Sequence, residues 1–154
     1  MTEDALSPDA IARQVFEIME AKDRVFIGAE MRALEIRAGY AMLEMTVRDD
    51  MLNGHGVCHG AALFSLADTA MAIAANSYNE VALAAAADIN FVEPLHEGDT
   101  VRAEAIERSR RKRTCLYDVM LSGPEGKLIA LFHGRTQRLR DKVVDHLPGP
   151  NDLD

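Results

Sequence analysis

Residues 53–60 read NGHGVCHG, and residues 61–78 continue as AALFSLADTAMAIAANSY. The first stretch is a loop with three glycines and two histidines. The second has no proline or glycine and places apolar residues on nearly every side, so it predicts a helix from Ala61 to about Tyr78. A helix apolar all round must be wrapped by other structure. Its one carboxylate, Asp68, is costly there unless paired, hydrogen-bonded or put to use. Gly60 stands at the helix start, where exposed backbone N–H groups can hold a developing negative charge. Together the two groups point to chemistry on a carbonyl.

Outward from this helix, Ser7-Pro8-Asp9 supplies an N-cap, a first-turn proline and a first-turn acid. Ile11, Val15, Ile18 and Met19 follow at helical spacing, predicting a helix over about 8–22. Residues 30–48 read as two strands turning at Ala38-Gly39. Residues 81–93 are ambiguous, because four consecutive alanines favour helix. Ile89, Phe91, Val92 and the following Pro94 tip the balance to strand. Residues 99–109 and 114–121 alternate with period two, Gly123-Pro124-Glu125-Gly126 is a turn, and a last strand covers about 127–139. The order is one helix, two strands, the buried helix and four strands. It fits an α+β domain over 1–140, a mostly antiparallel sheet around one apolar helix, with a mobile tail over 141–154 containing Pro148-Gly149-Pro150.

The composition suits a globular protein, with 48% apolar and 27% charged residues. No uncharged apolar run reaches the length of a membrane span. The acidic start MTEDALSPDA lacks a signal-peptide pattern, and the two cysteines, Cys58 and Cys115, make no disulfide framework, so a cytoplasmic setting is expected. A net charge of −8 argues against a nucleic-acid binder. It also means that an anionic ligand needs local cations. Arg108, Arg110, Arg111, Lys112 and Arg113 offer them, although such a run also reads as a solvated hairpin turn.

There is no Gly-x-Ser-x-Gly elbow, no GxxxxGK[ST] and no GxGxxG. His55, Cys58 and His59 lack the ligand number and the glutamate of a zinc-helix motif, and loop bracing is the plainer role for the histidines. Cys58 has no acid to orient a base beside it. No cation lies three or four residues from Asp68, which favours a functional carboxylate over a structural one. Asn53 is either a turn residue or an amide that positions water or a carbonyl oxygen.

NGHGVCHG, LFSLADTAMAIAANS, INFVEPLHEGDTVRAEA, LYDV and ALFHGRTQRL resemble a hotdog-fold acyl-CoA thioesterase of the phenylacetate-degradation type, over about Phe26 to Arg140. The resemblance implies a curved antiparallel sheet around a long central helix. It implies dimers joined sheet edge to sheet edge, often paired into a homotetramer. It puts the catalytic carboxylate on Asp68, the carbonyl-polarising glycine on Gly60 and the loop amide on Asn53, and it suggests an arylacetyl-CoA such as phenylacetyl-CoA or a hydroxylated form as substrate. Substrate-binding candidates are His59, Thr69, Arg111 and Arg113, with no metal and no cofactor. The chain departs from the pattern at Ala61, where relatives have a second glycine, at Asn90, where they have an aspartate, and in the richness of the run at 108–113.

Spacing adds a constraint. Eight helical residues rise about 12 Å, so one thioester carbonyl cannot touch both Gly60 and Asp68 of the same helix. The two groups of one site are expected from different subunits. The alternatives are a non-catalytic acyl-CoA-binding protein, a hotdog dehydratase or hydratase, and a metal-dependent hydrolase through His55 and His59.

Overall fold

The structure, a computed structural model, describes residues 6–150. Helix α1 spans Pro8–Glu20 and α2 Arg24–Gly28. Strands β1 (Arg32–Arg37) and β2 (Tyr40–Thr46) precede helix α3 (Gly60–Asn76). Strands β3 (Ala82–Phe91), β4 (Thr100–Arg111), β5 (Thr114–Ser122) and β6 (Leu128–Arg138) follow. All six strands form one antiparallel sheet in the order β1-β2-β4-β5-β6-β3. No helix among the described residues is long and apolar enough to cross a membrane.

The sheet curves around α3, whose Leu63, Leu66, Ala67, Ala70, Met71, Ile73 and Ala74 are buried. Alternation along the strands supplies the facing layer: Val101, Ala103 and Ala105 from β4, and Cys115, Tyr117, Val119 and Leu121 from β5, are buried. Gly134 of β6 permits the closest approach, since a Cβ there would lie 2.1 Å from the Met71 sulfur. The turn at Ala38-Gly39 is as expected, with Gly39 at φ +71 and its N–H donating to Ser77 Oγ at 2.8 Å. The strand reading of 81–93 also holds. Main-chain bonds to β6 override the helix propensity of the four alanines, and a bulge falls within them, between Ala84 and Ala86.

Three features differ from expectation. Helix α2 has no counterpart in the sequence reading; Asp23 caps it by accepting from the Val25 and Phe26 N–H groups at 3.0 Å. Ile18 stays 40% exposed although α1 buries Ile11 and Val15. The tail expected to be mobile is packed through much of its described length. Val144 and Leu147 are buried against Ile11 and Val15. Asn79 fixes this strap: its Nδ2 donates to the carbonyls of Val144, Leu147 and Pro148, and its Oδ1 accepts from Val144 N–H. Proline and glycine end regular structure but do not prevent docking when apolar residues lie beside them. Residues 151–154 of that tail lie outside the described residues.

Asn79 is fully buried at φ +61, where asparagine is better tolerated than most residues. Asn79→Ala leaves buried carbonyls unpaired and should cost about 2–4 kcal/mol. The expected result is a Tm lowered by roughly 5–12 °C, and calorimetry on the purified protein checks it.

Candidate active site

The loop before α3 is built around Asn53. Its Oδ1 accepts from the backbone N–H of His55 at 2.9 Å and of Val57 at 3.3 Å. That is the turn-asparagine role, and it leaves the Nδ2 donors free of any partner among the described residues. His59 is the N-cap of α3: its Nδ1 accepts from Ala61 N–H at 3.0 Å. Its own N–H donates to Met51 carbonyl at 2.7 Å, tying the loop to the helix. The N–H of Gly60, the first helical residue, finds no acceptor among the described residues. It opens into a cleft of about 420 Å³ lined by Asn53, Cys58, Gly60, Leu63, Phe91 and Pro94 among others. A Cβ there would meet the Phe91 ring at 2.9 Å, so a larger residue would displace that half-exposed ring.

Asp68 lies two turns further along α3, half-buried, and makes no hydrogen bond or ion pair among the described residues. Burial, and then the negative charge of Asp23, push its carboxyl above the usual carboxylate range. A carboxylate left unpaired in this way is a competent proton acceptor. Thr69 is buried beside it in sequence. Cys58 is also buried, and burial pushes its thiol up, which disfavours the thiolate.

The structure therefore brings Asn53 and Gly60 to one cleft and leaves His59 and Asp68 outside the residues that line it. Arg111 and Arg113 stand elsewhere, beside a second cleft of about 810 Å³ with Glu80, Arg138 and Arg140. The basic run divides. Arg108 Nε bonds Asp118 at 2.7 Å, and Arg110 lies 3.8 Å from Glu80 and 3.9 Å over the Tyr78 ring. Phe91, Asp23 and Arg140 are contributors that the sequence reading missed. The one available signal was Asp23 ahead of Val25 and Phe26, a helix-cap pattern.

One turn before Asp68, Ser65 lines a groove of about 250 Å³ between α2 and the first half of α3. The other walls include Val25, Ala29, Met45, Met51 and Ala62, with the ion-paired Arg48 and Asp50 at one side.

Residues 55–130 match the family described as the thioesterase superfamily. The acyl-coenzyme A thioesterase PaaI of Escherichia coli (strain K12) is 46% identical over 106 residues, 69% of this chain and 76% of that protein. The structure of the E. coli PaaI protein from the phenylacetic acid degradation operon superimposes with a TM-score of 0.86 at 38% identity, covering 88% of this chain and 99% of that one. A point mutant of the phenylacetic acid degradation protein PaaI from Thermus thermophilus gives 0.73 at 37% identity, over 76% and 100% of the two chains. The sheet wrapped around α3, the loop leading to Gly60 and these likenesses agree: the chain belongs to the thioesterase superfamily, in its hotdog fold.

Proposed function

We propose that this protein hydrolyses acyl-CoA thioesters to the free acid and CoA, with a compact acyl group such as arylacetyl, at sites shared between two subunits. The observation that carries this reading is the pair of unpartnered groups on α3: the Gly60 N–H at its start and the half-buried Asp68 carboxylate at its middle. The resemblance to a protein named acyl-coenzyme A thioesterase supports the substrate class. The groove one turn from Asp68, about 250 Å³ in volume, suits one ring or a short chain.

Two routes use the same groups. As a base, Asp68 takes a proton from water while the oxygen adds to the thioester carbon; as a nucleophile, it adds directly and water then cleaves the anhydride. In both, the carbonyl oxygen gains negative charge, which the Gly60 N–H stabilises at the helix start. Collapse expels the CoA thiolate, which is then protonated. Asn53 Nδ2 orients the water or the carbonyl oxygen. His59 and Thr69 contact the substrate near these groups, and Arg111 and Arg113 bind its phosphates. A non-catalytic binder would fit an ion-paired Asp68 better than the unpaired one described above.

The shared site follows from spacing and from the sheet edges. Strand β1 is bulged and carries Arg32, Glu35 and Arg37, devices that discourage edge pairing. Strand β3 is a ten-residue edge with an alanine run, and its Leu83 and Phe91 are 57% and 53% exposed. A second β3 running antiparallel along it brings the Gly60 end of one subunit towards the later half of the partner's α3. The outer sheet face offers a contact for pairing such dimers into a homotetramer. Leu116, Met120 and Leu131 are exposed there around an Arg108–Asp118–His133 cluster. Two buried free cysteines suit a reducing, cytoplasmic setting.

Asp68→Asn should lower kcat by about a hundredfold or more with arylacetyl-CoA. It should also raise Tm at neutral pH. The native carboxyl holds its proton more tightly folded than unfolded, so its ionisation disfavours folding; the stability gain should be full above the folded value, shrink as pH falls below it and vanish in the ordinary carboxylate range. A variant that keeps a third of wild-type kcat would overturn the role of Asp68.

Wild-type activity should fall on the acid side at a pH above that of an ordinary aspartate. Asp23→Asn should move that limb to lower pH by removing a like charge. A pH–rate profile of kcat/KM reads both.

Gly60→Pro removes the donor N–H, and each homo-oligomer of Gly60→Pro or Asp68→Asn should be nearly inactive. Dissociated and remixed, the two should regain part of the activity, because some dimers then hold one intact site. No recovery, with heterodimers shown by mass spectrometry, would place both groups of a site in one subunit.

A further inference from the structure

The groove between α2 and α3 has walls of unequal firmness. On one side stand Met45 of β2, the short turn Asp49–Met51, and Ala62 and Ser65 of α3. The backbone around that turn is fixed. The Val47 N–H donates to the Asp99 carbonyl at 2.9 Å, and the Val47 carbonyl accepts from the Gly98 N–H at 2.8 Å. The Met51 carbonyl accepts from the His59 N–H at 2.7 Å, so the turn is also tied to the cap of α3. On the other side stand Val25, Gly28 and Ala29, from α2 and its C-cap. This helix is five residues long and buries one side chain of its own, Phe26, which meets Phe16 of α1 edge-on at 5.9 Å. Val25 and Ile27 are half-exposed. A helix this short has little stability of its own and depends on what fastens it.

One side chain spans the two walls. Arg48 Nη1 donates to the Gly28 carbonyl at the end of α2, at 2.9 Å. Its Nε and Nη2 donate to the two carboxylate oxygens of Asp50, at 3.0 and 3.2 Å. The planar guanidinium thus grips the fixed turn with a two-point fork while its remaining arm holds α2, an arrangement that a lysine cannot copy.

The end of α2 carries a second mark. The Met31 N–H donates to the Phe26 carbonyl at 3.0 Å and the Glu30 N–H to the Ile27 carbonyl at 3.1 Å, with Glu30 at φ +53. Glycine is the ordinary choice at that place in a helix end. The glutamate instead sets a carboxylate 3.5 Å from Arg48. Gly28, Glu30 and Asp50 therefore converge on one guanidinium, and that guanidinium fixes the separation of the walls.

The position of the groove gives this separation a use. Ser65 precedes Asp68 by three residues, on the same face of α3. Asp23, the N-cap of α2, lies near enough for its charge to act on the Asp68 carboxyl. Helix α2 thus begins beside the acid and runs along the groove.

We infer that Arg48 determines acyl specificity: by holding the end of α2 to Asp50 it keeps the groove at the width of one ring or a short chain and excludes longer acyl groups. The inference rests on the acyl-CoA reading above and deepens it by naming the residue that limits the acyl group.

Two measurements on the full chain test it. The first is hydrogen exchange followed by mass spectrometry, which needs no substrate. In Arg48→Met, which keeps the side-chain bulk and removes the donors, the amides of residues 27–30 should exchange at least about threefold faster than in the wild type. Those of α3 should not change, and Arg48→Lys should recover part of the protection. The second is kcat/KM for octanoyl-CoA divided by kcat/KM for phenylacetyl-CoA. This ratio should rise at least about fivefold in Arg48→Met, with KM falling for the long chain and rising for the arylacetyl group. A residue that only supported the fold would shift both substrates in the same direction. Asp50→Asn, at an exposed position, should move both readouts the same way by less, and it carries the test if the methionine variant does not fold. Unchanged exchange over 27–30, or an unchanged octanoyl-to-phenylacetyl ratio, overturns the inference. If the wild type hydrolyses no acyl-CoA, the acyl-CoA reading fails and the specificity with it, while the exchange still decides whether Arg48 holds α2.

Discussion

Burial of α3 is the constraint from which the architecture follows. Seventeen residues that are apolar on nearly every side cannot rest on a flat sheet, because half of their surface would stay in water. The sheet must curve, and its inner layer must be thin where the helix comes nearest. Alanines at 103 and 105 and Gly134 opposite Met71 provide that thinness. Filling the position at 134 would push the helix outward and open the layer above it, which a close-packed interior tolerates poorly. The loop from Asn53 to His59 then has one task, to deliver the chain to the helix start in fixed geometry. Asn53 and His59 do this with side-chain caps.

The same helix divides the chemistry. A donor at its first residue and an acid at its ninth are rigidly held but too far apart to serve one carbonyl. Rigidity becomes useful only if a second helix presents the complementary half, and the alanine-rich β3 edge is the surface through which two such halves can meet. The acid itself is kept reactive by what is missing around it. Most acids with described partners in this chain are spent on structure: Glu80 on Arg138, Glu44 on Arg32 and Arg102, Glu107 on Tyr78 and Tyr117. Asp68 has no such partner among the described residues, and its burial, and then the charge of Asp23, raise its proton affinity.

Charge is allocated the same way on the basic side. Arg108 and Arg110 lie in the same run as Arg111 and Arg113, yet the first two reach fixed partners, while Arg111 at the end of β4 and Arg113 in the turn after it have none among the described residues. A surface ion pair contributes little to stability, so the partnered arginines matter more for the shape they impose than for energy.

Periodicity and turn residues in the chain were enough to place the buried helix, the turns at Ala38-Gly39 and at 123–126 and the succession of strands along the chain, since these depend on local backbone and on which residues can face an apolar interior within one element. The lone carboxylate in α3 and the glycine at its start were legible for the same local reason, each being anomalous against its neighbours. Three things were not legible. The partners of the arginines at 108–113 depend on Asp118 and Glu80, which are remote in sequence from at least one of them. The helix α2 is five residues long, too short for a period to declare itself. The strap around 143–148 reads as a loose end because the prolines and glycine at 148–150 break regular structure, while its docking rests on Asn79, some sixty-five residues earlier. Local sequence constrains each element through its own backbone and its own burial pattern. Pairing between distant charges, and coverage of one element by another, are properties of the assembled chain.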